Sequence, residues 1–184
     1  SADLAESNGV ALKNATLMQK NNSKVSNSSP GGKYIHFGIR EHAMASIMNG
    51  MALYGFTRPF GATFLIFSDY QKPAIRLASL MQLPVIYVWT HDSIGLGEDG
   101  PTHQPVEQLW SLRAIPGFSV VRPCDANEVR ETYLRIINDQ LPAGIVLTRQ
   151  NIVTLDRNIY ASAKNATKGA YILSEAKDKN PKSI

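Results

Sequence analysis

The chain has 184 residues, 43% of them hydrophobic and 18% charged, a composition that fits one globular domain long enough to bury a core. Its formal charge of +4 is modest and several lysines (Lys164, Lys168, Lys177, Lys179, Lys182) fall in a tail that reads as solvated, so nucleic-acid binding is not implied. A lone cysteine, Cys124, excludes an internal disulfide, no zinc-type Cys/His spacing occurs, and no apolar run reaches a membrane span, so a soluble protein of a reducing cytoplasm with no membrane partner is expected.

The first residues, Ser1-Ala2-Asp3-Leu4-Ala5-Glu6-Ser7-Asn8, lack an initiator Met and are polar rather than leader-like, which points to a piece of a larger polypeptide. Lys20 to Lys33 is an Asn/Ser/Gly loop too poor in apolar residues to pack, so residues 1–33 read as an N-terminal segment. Strands and helices then alternate over 34–160, and 161–184 reads as a tail leading to a domain outside the chain. Tyr34-Ile35-His36-Phe37 predicts a first strand, and Glu41 to Tyr54 a helix stopped by Gly55. Arg58 to Phe64 predicts a second strand, and Phe67 to Met81 a helix kinked or begun at Pro73. Pro84 to Trp89 is β-branched and aromatic, as suits a buried parallel strand. A helix from about Gln104 to Ala114 follows, with Pro105 in its first turn, and then a strand at Ser119-Val120-Val121. Asp125-Ala126-Asn127-Glu128 has the spacing of a capping box and opens a helix that places Val129, Tyr133, Ile136 and Ile137 on one face. Gly144 to Thr148 closes the series as a strand. This alternation predicts an α/β fold, a parallel-sheet three-layer sandwich.

The most informative stretch runs from Thr90 to Pro105, directly behind the buried strand. It gathers His91, His103, Asp92, Glu98 and Asp99 around Gly95, Gly97 and Gly100. Ligands of parallel sheets collect at the carboxyl ends of strands, so this is expected to be an active-site loop. Gly95-Leu96-Gly97-Glu98-Asp99-Gly100 also matches the dinucleotide pattern G-x-G-x-x-G, but two carboxylates inside it would repel a pyrophosphate and Pro101 follows at once. No ribose-binding acid stands about 20 residues on. A metal site is the other rival, and the His/Asp spacing fits no usual zinc motif. Read locally, Glu41 near a helix start is a solvated residue favoured by the helix dipole. Phe64, Phe67 and Tyr70 recur every three residues, which on a helix gives one aromatic wall or plain core packing.

Four stretches stand in the order and spacing of transketolases: His36-Phe37-Gly38-Ile39-Arg40-Glu41-His42-Ala43-Met44, then Thr63-Phe64-Leu65-Ile66-Phe67-Ser68-Asp69-Tyr70, then the loop, then Thr148-Arg149-Gln150-Asn151. Over about residues 1 to 160 the chain resembles that family, closest to the bacterial type, and specifically its pyrimidine-binding domain of a thiamine-diphosphate enzyme. The resemblance implies transfer of a two-carbon ketol unit from a ketose phosphate to an aldose phosphate, with thiamine diphosphate as the electron sink. It implies that Mg²⁺ is bound by the diphosphate-binding domain, not by this one, and that a homodimer partner supplies that domain, so the fragment alone is expected to be inactive.

By the same resemblance Glu41 is the catalytic carboxyl that selects the cofactor's imino tautomer, and its apolar neighbours Ala43, Met44 and Ile47 suit a raised pKa. Phe64, Phe67 and Tyr70 line the pyrimidine pocket, with Phe67 stacking on the ring, and Asp3 lies near the cofactor at the subunit interface. His91, Asp99 and His103 contact the sugar, His103 also moving protons, while Arg149 and Ser7 bind its phosphate. Two positions depart from the family pattern: Glu6 stands in place of a proline and Thr148 in place of a serine. The sequence leaves open a dihydroxyacetone synthase, a pyruvate-using thiamine-diphosphate synthase and a non-catalytic dimerisation module.

Overall fold

The computed structural model describes Met18 and residues 32–176. Asp3 and Ser7 lie outside the described residues. Four strands, β1 (Phe60–Phe64), β2 (Ile86–Thr90), β3 (Ser119–Val121) and β4 (Ala143–Val146), form one sheet in the order β1-β2-β4-β3, with every neighbouring pair parallel. Helices α1 (Glu41–Tyr54), α2 (Ser68–Leu80), α3 (Gln108–Arg113) and α4 (Ala126–Asp139) alternate with them. Parallel pairing makes each connection cross back through such a helix, so all four strands deliver their carboxyl ends to one edge.

The period of two along each strand divides the core into two layers. Tyr87, Trp89 and Val146 face Met44, Met48, Ile75 and Leu112 from α1, α2 and α3. Ile86, Val88, Ala143 and Ile145 face the other way, onto Ile136 and Tyr133 of α4. Helices therefore cover both faces, as a three-layer α/β sandwich requires, and all five residues of β2 are buried. In the second layer Asp125 caps α4 by accepting from the Glu128 amide at 2.9 Å, and the Glu128 carboxylate accepts from the Cys124 amide at 2.9 Å. Arg157 reaches Asp125 at 2.7 Å and Tyr171 at 3.0 Å, which pins the chain after β4 across the start of α4. Burial works to raise both carboxyls, but these backbone amides, Tyr171 and Arg157 hold Asp125 and Glu128 below their ordinary values.

Several boundaries differ from the sequence expectation. Over 34–37 there is no strand: Tyr34 forms one isolated bridge, its carbonyl accepting from the Met18 amide at 2.8 Å, and Gly38 at φ +64° turns the chain away. The helix expected from Phe67 begins at Ser68, behind a 3₁₀ turn over Leu65–Phe67. Pro73 lies inside α2 without ending it, because the bond its missing N–H removes is the one to Asp69 in the first turn. α3 is shorter than 104–114, since the Gln108 side chain takes the Val106 amide at 2.9 Å and holds the preceding residues in a turn. Ile137 is half-exposed rather than packed, because the buried stripe of α4 runs through Glu128, Thr132 and Ile136.

Gly144 is the one position of β4 where a side chain cannot stand. A Cβ there would fall 2.1 Å from Cζ3 of Trp89, whose indole N–H is fixed at 2.7 Å on Gln71. Fully buried rings cannot yield without opening the layer. The substitution Gly144→Ala is expected to cost about 2 kcal/mol of stability. Urea unfolding followed by tryptophan emission checks this: an unchanged midpoint would show that the sheet and the indole are not in contact.

Candidate active site

Each candidate residue among those described is positioned at or beside the carboxyl edge of the sheet. Register places Phe64 of β1 opposite Thr90 of β2, so His91, the next residue, emerges beside the Phe64 ring. The two rings stack with centroids 3.6 Å apart and 20° between planes. His91 reaches this position with φ +59°, a conformation uncommon outside glycine but tolerated by His more than by most residues. Its Nδ1 lies 2.8 Å from Thr90 Oγ1.

The three-residue spacing of Phe64, Phe67 and Tyr70 works differently from the helical wall expected. Phe64 ends β1, and the intervening Leu65–Phe67 turn is 3₁₀, where residues three apart eclipse. Phe64 and Phe67 are therefore nearly parallel, 6.1 Å apart at 13°, and Tyr70 continues the ladder at 6.2 Å and 22° from Phe67. Exposure rises along it, from buried Phe64 to Tyr70 at 63%. His103 meets the edge of Phe67 at 5.4 Å and 81°. Two histidines of one loop thus bracket an aromatic ladder.

Glu41 is the first residue of α1 and only 6% exposed, which excludes the solvated helix-start reading. Because α1 leads into β1 and runs back antiparallel to it, its first turn lies toward the carboxyl edge. Met44 and Met48 of α1 pack against Gly61 of β1. The loop itself is held by buried Leu96 inside a 3₁₀ turn over Ile94–Leu96, with positive φ at Gly97 and Gly100. Asp99 stands exposed on it, and Arg149 stands exposed beyond β4.

Electrostatics link these groups. Burial lowers the His91 pKa from 6.5, the Arg149 charge lowers it further, and Asp99 and Asp92 act in the opposite sense. Arg149 and Asp99 therefore converge on one imidazole. Sequence reasoning gave Asp92 and Arg122 no role, yet the buried Asp92 carboxylate takes Arg122 Nε and Nη2 on Oδ2, both at 2.7 Å, while its buried Oδ1 has no hydrogen-bond partner among the described residues. One signal was available: Arg122 directly follows β3, where ligand-edge residues belong. Among the described residues no group of three or more His, Cys, Asp or Glu could hold a metal ion.

With its folded pKa depressed, His91 is neutral at pH 7, and the stability it carries is present above about 6.5 and lost as pH falls through its folded value. An NMR titration is expected to place the His91 midpoint below 6.5, and Arg149→Met to raise it. A midpoint unmoved by that substitution would separate the two residues.

Comparison with known proteins gives a consistent answer. The family model described as "Transketolase, pyrimidine binding domain" matches residues 1–154. The transketolase of Aquifex aeolicus is 52% identical over 180 residues, covering 97% of this chain and 25% of that protein. The solved transketolase of Campylobacter jejuni is 46% identical with a TM-score of 0.82, over 96% of this chain and 26% of that one. A Pichia stipitis transketolase in complex with sedoheptulose 7-phosphate is 43% identical with a TM-score of 0.85, over 97% and 26%. The chain spans about a quarter of the length of the relatives it matches. On the extent of the family match and the identity of these relatives, the chain belongs to the transketolase pyrimidine-binding domain family.

Proposed function

We infer that this domain forms the pyrimidine half of a thiamine-diphosphate site in a polypeptide that moves a two-carbon ketol unit from a ketose phosphate to an aldose phosphate. The observation that carries the reading is the aromatic ladder of Phe64, Phe67 and Tyr70, bracketed by His91 and His103 at the carboxyl edge where the first turn of α1 places a buried Glu41. Those residues fit the group by their chemistry: flat apolar faces for a heteroaromatic ring, and an enclosed carboxyl for one ring nitrogen. The relatives' transketolase name and the sugar phosphate bound by the Pichia protein support the same reading.

Roles follow from chemistry and position. Glu41 holds a proton against the pyrimidine nitrogen, a task favoured by an enclosed site. Phe67 packs on the ring, with Phe64 and Tyr70 flanking, and Asp3 adds a contact at the subunit interface. When bound, thiamine diphosphate supplies the electron sink for cleaving the carbon-carbon bond beside the ketose carbonyl. Neutral His91 hydrogen-bonds the sugar oxygens together with His103, which also accepts and returns a hydroxyl proton. Asp99 reads the C2 hydroxyl, and Arg149 with Ser7 takes the phosphate through its planar guanidinium. Mg²⁺ belongs with the diphosphate on the domain of a homodimer partner. The exposed apolar residues Ile47, Leu53 and Tyr54 of α1 and Leu77 and Leu80 of α2 suit such a subunit contact.

The test uses the complete polypeptide carrying this domain, with thiamine diphosphate, Mg²⁺, a ketose phosphate and an aldose phosphate. Ketol transfer is expected, and Glu41→Gln should reduce kcat by roughly 10²-fold to 10⁴-fold. The 184-residue chain assayed alone should give no turnover. Full activity of the Gln variant would remove Glu41 from the mechanism, and turnover by the isolated chain would show that no second domain is needed.

A further inference from the structure

Gln150 follows Arg149 beyond β4, and the functional reading gives it no task. Its side chain nevertheless joins two elements 55 residues apart: Nε2 donates to the Gly95 carbonyl in the 3₁₀ turn of the loop, and Oε1 accepts from Thr148 Oγ1. A primary amide offers both a donor and an acceptor here, whereas a carboxylate would present an acceptor to the Gly95 carbonyl. Gly95 makes room for it, since a Cβ there would lie 2.3 Å from Nε2 and 3.0 Å from Cδ of Gln150. Thr148, which departs from the family's usual serine, supplies the hydroxyl that orients the amide.

The turn is thus held from two sides. Leu96 is buried on the inner side, and Gln150 grips the adjacent Gly95 from the exposed side. On one bonded element stands Arg149, and on the other stand His91, Asp99 and His103. The Arg149 and Asp99 charges act on the His91 imidazole from these two elements in opposite senses. We propose that Gln150 is a positioning residue that fixes the distance between Arg149 and the loop bearing His91, Asp99 and His103, and so sets the span across which a phosphorylated sugar is held. The proposal rests on the ketol-transfer reading for its substrate but on the Gly95-Gln150-Thr148 bonds for its mechanism.

A substrate gripped at both ends needs that span, whereas one without a phosphate engages only the loop. In the complete polypeptide, Gln150→Leu is therefore expected to raise KM for a ketose phosphate by about tenfold, the loss of one neutral hydrogen bond at the upper end of its range, with kcat at saturation little changed. KM for the dephosphorylated ketose should change far less. Gly95→Ala should reproduce the effect by displacing the amide, and the double variant should be no worse than either single one, because both remove the same contact. A readout independent of turnover is the His91 titration: freeing Arg149 from the loop should move its midpoint up toward 6.5 in Gln150→Leu. Equal KM changes for both ketoses, additive single effects, or an unmoved His91 midpoint would each overturn the proposal. Absence of ketol transfer in the unsubstituted protein would instead overturn the functional reading, and the titration would still decide whether the clamp exists.

Discussion

The reversal at His91 is the constraint on which the site depends. Strand β2 is enclosed on both faces, so it cannot bend within the sheet, and the chain must turn within one residue of its end. It does so at φ +59°, a conformation that disfavours a side chain by about 1–2 kcal/mol. The stack on Phe64, the Thr90 hydroxyl beside Nδ1 and the Asp92–Arg122 pair surround that turn. Together they hold the turn and aim one imidazole across the sheet edge. Everything that follows, from buried Leu96 to His103 on the edge of Phe67, is placed relative to this turn.

The same geometry explains why His91 stays neutral. A ring enclosed against Phe64 and facing Arg149 gains little from protonation, and the carboxylates of Asp99 and Asp92 only partly offset this. A neutral imidazole can both donate and accept, which suits the proposed contact of His91 with sugar hydroxyl groups. The aromatic ladder beside it has the complementary character, flat and largely apolar. One edge of one sheet thereby presents a polar rim and an apolar wall side by side.

Much of this was legible in the sequence where a local rule has one physical outcome. Glu41–Tyr54 with its glycine stop, the capping aspartate of α4 and the buried run of β2 all rest on such rules. The loop was legible because glycines, imidazoles and carboxylates rarely crowd together behind an apolar strand. Tertiary bonds decided the rest. Gln108 shortens α3 by binding backbone ahead of it and the Asp69 carboxylate, a partner 39 residues away. A spacing of three residues did not reveal that a 3₁₀ turn, rather than an α-helix, would align Phe64 with Phe67. Gln150 was invisible for the same reason, since it acts through a contact that exists only after the sheet has formed, and Arg122 offered only its place directly after β3.

The proposed function requires the carboxyl edge of this sheet to hold a pyrimidine ring between the ladder and Glu41. A crystal structure of the complete polypeptide with thiamine diphosphate tests it most directly. The aminopyrimidine should lie against Phe67 with the Glu41 carboxyl within hydrogen-bond distance of a ring nitrogen. A ring bound elsewhere, or bound here with Glu41 turned away from it, would rule the proposed site out.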